Sequence, residues 1–295
     1  MTSSVDARAS SSPGHLHHHA GDPGVLRTDF DVAAYVRSEQ GPITVDAALV
    51  SALPRDLRRD LGMLARLEAG ALAEARALLC SSTSREARIT AFLAIWMVER
   101  HWSARALEQL QEAGGPRGDR TPPDARWPDR FRSGLRRQYV ERLLPITTPV
   151  WTTLVGEPVA AGQMTRLALQ ERALLCAGEA LLPRLSGESR RVLAAVCARR
   201  RRHLEFFEAE ARARLRRSTT ERSVAAAMLR GFRVLRTVGV ADPHETSAVA
   251  SLFRDPADRV RLLTALEPLL QEVTPALSAR AVLPPISRRG HGLRP

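Results

Sequence analysis

The chain has 295 residues, of which 44% are apolar and 4% aromatic, and its formal net charge is +12 at pH 7. No apolar run reaches the eighteen or so residues a membrane span needs. The N-terminus has no apolar stretch behind a basic start, so no secretory signal is expected and a cytoplasmic protein with a sizeable core is predicted. Every basic residue counted with lysine and arginine is an arginine. Such a surface attracts nucleic acid, anionic membrane or an acidic protein, and the scarcity of aromatics together with the lack of a recognition motif argues against nucleic acid.

Residues 1 to about 27 are rich in Ser, Gly, Asp and His without an apolar period, which predicts a disordered tail. His15, His17, His18 and His19 lie there, and a metal site on them is not expected because such a tail offers no fixed geometry. Helical signals begin at Thr44. From Pro54 the residues Leu57, Leu61, Leu64, Glu68, Ala71, Ala75 and Leu78 recur at helical spacing as one continuous helix. Ser81 to Ser84 break it. A second long helix is expected from about Arg85 to Ala113, with the stripe Ile89, Phe92, Trp96, Glu99, Ser103 and Leu107. Gly114 to Pro128 reads as a loop, and a third helix is expected over Asp129 to Leu144.

Pro145, Pro149, Gly156 and Pro158 interrupt the next stretch. A fourth helix follows from about Gly162 to Leu182, striped by Met164, Leu167, Glu171, Leu174, Gly178 and Leu181. A fifth runs from about Glu188 to Arg216 with Val192, Val196, Arg200, His203 and Phe207 on one side. Shorter helices are expected near 220–238, 245–253 and 256–272. Cys80, Cys176 and Cys197 form no CxxC pair and read as reduced, small buried residues. The pattern predicts an all-α protein: a disordered tail over 1–27, an antiparallel helical bundle over 28–275 with extra C-terminal helices, and a loose tail over 276–295.

Glu68, Glu171 and His203 each interrupt an apolar stripe on a different helix. A buried carboxylate is costly unless it is paired or binds a metal, so the three together suggest one interior polar site. Each alone also fits a rim position or a single buried hydrogen bond. A di-iron carboxylate bundle takes a Glu from each of two helices and Glu-x-x-His from each of the other two. Residues three apart share a helix face, whereas Glu99 and His101 are two apart. Three residues before His203 stands Arg200.

The segment Phe92-Leu93-Ala94-Ile95-Trp96-Met97-Val98-Glu99, followed by Ala106-Leu107, resembles the F-L-x-x-W-x-x-E-E-x-x-H-x-x-A-L motif of the soluble acyl-acyl-carrier-protein desaturases. In that register Arg100 stands at a ligand Glu and Ser103 at a ligand His. Gln170-Glu171 is similar to the family's Q-E, with Glu171 at a ligand position. His203-Leu204-Glu205-Phe206-Phe207 resembles its second E-x-x-H motif and aromatic pair, with Arg200 at the Glu. Glu68 falls within a residue or so of the first ligand Glu, and Gly239 to His244 is similar to a G-I-Y-D-P-x-x-H stretch of bacterial members. The likeness runs in order from about 60 to 255.

The resemblance implies a ferritin-like fold, a dimer, and oxygen-dependent desaturation of an acyl chain on acyl carrier protein with ferredoxin as electron donor. It implies iron as cofactor if the activity survives, with Glu68, Glu171 and His203 as remnant metal ligands. Arg100, Ser103 and Arg200 mark the lost ligands, and Glu99 and Trp96 stand as neighbours behind them. The substitutions point to a non-catalytic protein without a cofactor that binds acyl carrier protein, an acyl chain or a homologous subunit as a homo- or heterodimer. Arg100 and Arg200 then pair with Glu68 and Glu171, or else face solvent at a helix margin, and His203 serves as a hydrogen-bonded core histidine. The alternatives are an active desaturase-type oxidoreductase with an altered metal site on Glu68, Glu171 and His203, and an unrelated helical binding protein in which these residues do not converge.

Overall fold

The computed structural model describes residues 26–38, 40–115, 157–236 and 245–283. The histidine-bearing tail, the loop from 116 to 128, the helix expected over 129–144, the Gly239 to His244 stretch and residues 284–295 lie outside the described residues. Within them the fold is all-helical, with no strand. The helices are α1 (Val32–Arg37), α2 (Arg55–Ala69), α3 (Ala71–Leu79), α4 (Ala87–Ala113), α5 (Pro158–Leu181), α6 (Gly187–Arg217), α7 (Thr219–Leu229), α8 (Glu245–Leu252), α9 (Pro256–Val273) and α10 (Ala279–Val282).

Capping chemistry sets several starts. The Asp31 side chain takes the Ala34 amide at the head of α1, Ser218 takes Thr220 at the head of α7, and Asp255 takes Ala257 at the head of α9. Each satisfies a donor the helix itself leaves orphaned. Pro158 opens α5 as its first residue, where the missing N–H costs nothing.

Two antiparallel helix pairs make the centre. The Leu53 amide donates to the Gly114 carbonyl at 2.9 Å, which sets the start of α2 beside the end of α4. A one-turn 3₁₀ segment at Leu182–Arg184 joins α5 to α6. The α4 and α6 helices pack against each other, α7 and α9 pack on α5, and α8 packs on α2. The expected stripes face inward: Phe92, Trp96, Leu107, Met164, Leu181, Val192 and Phe207 are fully buried. Burying each large apolar side chain stabilises by about 1.5–3 kcal/mol.

Residues 28–53 run lengthwise down the seam between α4 and α6. Thr28 bonds Glu210 on α6 at 3.3 Å, and Arg88 on α4 donates to Thr28 and to the Phe30 carbonyl. Further along, Arg191 donates to the Thr44 carbonyl at 2.6 Å and the Asp46 amide to Glu188 at 2.9 Å. Phe30 and Tyr35 enter an aromatic cluster with Phe92 and Phe206, with ring centroids 4.7–5.8 Å apart. This segment is the N-terminal strap.

Several expectations are corrected. The helix from Pro54 is two helices, α2 and α3, because the chain turns at Gly70, which sits between them. The α1 helix precedes the first expected helical residue. Pro158 begins α5 rather than interrupting the chain before it. The helix near 220–238 stops at Leu229, two residues before Gly231 takes a φ of +75°. Cys80 is exposed, whereas Cys176 and Cys197 are buried. Past 276, the chain still packs through α10, whose Ala279 and Val282 are buried.

The α5 and α6 helices approach closely at Gly178. A Cβ there would lie 2.6 Å from Cys197 Sγ. Gly178→Ala is expected to lower stability by a net of about 1–2 kcal/mol, overpacking outweighing the better helix propensity of alanine. Urea denaturation checks it, and adding Cys197→Ala should return most of the loss.

Candidate functional site

One ionisable side chain from each helix of the two central pairs meets at the centre of the bundle: Glu68 from α2, Arg100 from α4, Glu171 from α5 and Arg200 from α6. All are at most 3% exposed. Arg100 Nη1 donates to Glu171 Oε1 at 2.6 Å, and Arg200 Nη1 donates to Glu171 Oε2. Arg200 Nη2 donates to Glu68 Oε1, while Arg100 Nε contacts Glu68 Oε2. That last contact is an ion pair whose N–H is not aligned for a hydrogen bond. Each carboxylate therefore bridges the same two guanidinium groups, and the four charges close into a ring.

The ring is anchored at its edges. Arg100 Nη2 donates to the Leu67 carbonyl, among the last four carbonyls of α2 that lack a partner within the helix. Trp96 Nε1 donates to Glu171 Oε1 at 3.2 Å, and the Arg100 guanidinium lies 5.3 Å from the Trp96 ring, a cation–π distance. Glu74 on α3 stands nearby, with its Oε2 buried and without a hydrogen-bond partner.

Burial raises the Glu171 carboxyl to about 7; Arg100 opposes that rise and Glu74 adds to it. Burial likewise lowers the Arg200 guanidinium to about 9.

His203 stands apart from the ring. Its Nε2 lies 2.8 Å from Glu99 Oε2, and Glu99 also receives the Tyr35 hydroxyl at 2.9 Å and the Gln40 amide at 3.1 Å. His203, Glu99 and Tyr35 are each buried. Burial works to raise the Glu99 carboxyl, but the bonds from His203, Gln40 and Tyr35 outweigh it and hold Glu99 below the usual carboxylate range. Burial pushes the His203 imidazole down to about 4 despite Glu99. The ring is thus neutral at pH 7, with its proton on Nε2 and a bare Nδ1 that has no partner among the described residues. Burial and Glu99 together raise the Tyr35 hydroxyl far above its ordinary value.

The residues singled out from sequence therefore fall into two groups. Glu68, Glu171, Arg100, Arg200 and Trp96 converge. His203 and Glu99 pair with each other and with the strap, so a single site built on Glu68, Glu171 and His203 is not what the geometry gives. Ser103 is buried and returns its hydroxyl to the Glu99 carbonyl at 2.9 Å, a contact within its own helix. His101 is exposed, on the other side of α4 from Glu99. Among the described residues no group of three His, Cys, Asp or Glu side chains is placed to hold a metal ion.

A di-iron centre does not fit this donor set. The carboxylate oxygens a metal would need are directed at guanidinium groups, and two fixed positive charges stand among them. Sequence reasoning missed Tyr35, Gln40 and Glu74. It also missed a second buried ion cluster, in which Arg88 donates to Glu210 at 2.8 Å and Arg214 to Glu86 at 2.6 Å. Comparison with protein-family models, with curated proteins and with solved structures finds nothing that matches the chain.

Two predictions follow from the charges. Glu171→Ala leaves two buried guanidinium groups with a single carboxylate and should cost about 3–5 kcal/mol. The double variant Arg100→Met, Glu171→Met leaves a balanced Glu68–Arg200 pair, and urea titration should find it closer to wild type than the single variant.

The His203 imidazole is depressed in the folded state, so below pH 6.5 the unfolded chain takes up a proton that the folded one refuses. The contribution is fully present above 6.5 and is lost as pH falls towards 4. Stability should drop by about 2 kcal/mol between pH 6.5 and about pH 5, and His203→Gln should flatten the profile across that interval.

Proposed function

We propose that this chain is a non-catalytic, acyl-acyl-carrier-protein-desaturase-like protein of the cytoplasm with a ferritin-like bundle, in which arginine takes the place of metal. It acts by binding acyl carrier protein, an acyl chain or a homologous subunit rather than by oxidising one. The observation that carries the reading is the ring of Glu68, Arg100, Glu171 and Arg200, in which two carboxylates bridge two cations. That is the charge topology of a carboxylate-bridged pair of metal ions, with guanidinium groups as the cations.

The chemistry of the replacement is consistent with loss of turnover. A metal centre activates oxygen through open coordination positions and a change of oxidation state, whereas a guanidinium has a closed shell, donates hydrogen bonds only and remains charged. The carboxylates are paired with the arginines, Glu171 also accepting from Trp96, and cannot serve as ligands without expelling a buried cation. What this chain's residues do is hold four helices in register around a fixed charge layer. An excess of arginine over acidic residues suits an acidic partner, and acyl carrier protein is the one the resemblance names.

Metal analysis of protein purified from iron-supplemented cells tests the reading. Well under one iron per chain is expected, and two irons per chain would favour an active desaturase-type enzyme instead. Binding to acyl carrier protein, measured with the carrier both free and acyl-loaded, should weaken steeply with added salt, as screening of surface charge demands.

A further inference from the structure

Past the end of α7 the chain makes a tight loop over residues 230–236 that is held unusually firmly. Gly231 has a φ of +75° and Leu235 a φ of 58°. The second value is strained for a branched side chain and persists only where the surroundings fix it. Here they do. Leu235 is fully buried, and its amide donates to the buried Gln170 side chain on α5 at 2.9 Å. The Val234 amide donates to the Val282 carbonyl of α10 at 2.9 Å, and the Phe232 amide returns to Leu229 at 3.1 Å.

With Val234 and Leu235 turned inward, Arg230, Arg233 and Arg236 recur every third residue. Arg230 and Arg236 are exposed and make no ion pair among the described residues, where Arg233 donates only to the neighbouring Phe232 carbonyl at 2.8 Å. Arg166 of α5 lies 5.1 Å from the Phe232 ring. Arg280, exposed and without an ion pair among the described residues, sits on α10 two residues before the Val282 carbonyl that anchors the loop. Two carboxylates are near: Glu74, whose charge acts on Arg166, and Glu267, which is taken up by the Ala279 amide at 3.0 Å and by Gln271. On the neighbouring α5 and α6 surfaces the arginines are matched instead, Arg172 to Glu208, Arg212 to Glu208 and Glu272, and Arg217 to Glu221.

We infer that the 230–236 loop, flanked by Arg166 and Arg280, is a docking face for a protein partner with a carboxylate-rich surface. The strain and the three backbone hydrogen bonds present the arginines without the ordering cost a mobile loop would incur on binding. Their distribution over α5, the loop and α10 suits an extended acidic surface, whereas a single phosphate is captured by donors that converge. Single-stranded nucleic acid calls for aromatic stacking platforms, and the one ring here is already covered by Arg166. This inference rests on the proposed function only for the choice of probe.

The test is binding of acyl carrier protein to the full chain by fluorescence anisotropy. The charge-reversed variant Arg230→Glu, Arg233→Glu, Arg236→Glu is compared with a control in which the exposed Arg55, Arg190 and Arg254 are reversed to Glu, with thermal melts confirming that both fold. The loop variant should bind at least about tenfold more weakly and the control about as well as wild type. Equal losses in both would overturn the docking face while leaving carrier binding intact. No binding by wild type would overturn both the partner and the face, and the metal measurement would still stand separately. Loop-dependent binding to vesicles of anionic lipid or to a DNA duplex, with none to the carrier, would overturn the assignment to a protein partner.

Discussion

Two carboxylates in the middle of an apolar bundle impose a demand that the rest of the molecule has to meet. Neither Glu68 nor Glu171 reaches water, so each must find positive charge on a neighbouring helix, and each finds the same two guanidinium groups. Because each helix of the two central pairs supplies one corner, a slip of any of them by a turn, about 5.4 Å, would strand a charge in hydrocarbon. The ring therefore acts chiefly as a register device. Apolar residues of the same volume would stabilise the bundle as well or better, but they would tolerate sliding.

A second polar layer lies alongside, built differently. Glu99 gathers three donors, and only one of them, His203, comes from a bundle helix. The other two, the Tyr35 hydroxyl and the Gln40 amide, come from the strap. The strap thereby completes the solvation of a carboxylate that α4 and α6 alone would leave short of partners. Arg199 and Arg202 fasten it from outside, the first to Gln40 and the second to Ser38 and over the Tyr35 ring. Polar satisfaction and the apolar seal of the seam are the work of the same segment.

The helices and their inward faces were legible in the sequence because the apolar period of 3.6 is strong from Ile89 to Leu107 and from Met164 to Leu181. Glu68 and Glu171 stood out against that period, and the arginines at 100 and 200 lay on the same stripes. Less legible was anything decided by contact between distant segments. The period runs unbroken through Gly70, so nothing local announced that α2 and α3 are separate. Pro158 reads equally well as a breaker or as a first helical residue, and only the fold chooses. The pairing of His203 with Glu99 escaped because the partners of Glu99 arrive from 59 to 104 positions away. A signal for the strap did exist in Asp31 capping a short run with Val32 and Tyr35 on its buried side.

The strap has a consequence for the order in which the molecule is made. Its contacts tie residues that precede every bundle helix to some of the last residues of α6, as when Thr28 meets Glu210 across 182 positions. A ribosome releases Thr28 long before Glu210 exists, so the seam stays open throughout the synthesis of everything between. Closing so long a loop is a late event in any folding route, and until then Phe92, Phe206 and the Glu99 carboxylate face whatever the nascent chain encounters. A segment synthesised before the bundle helices is thus seated after them.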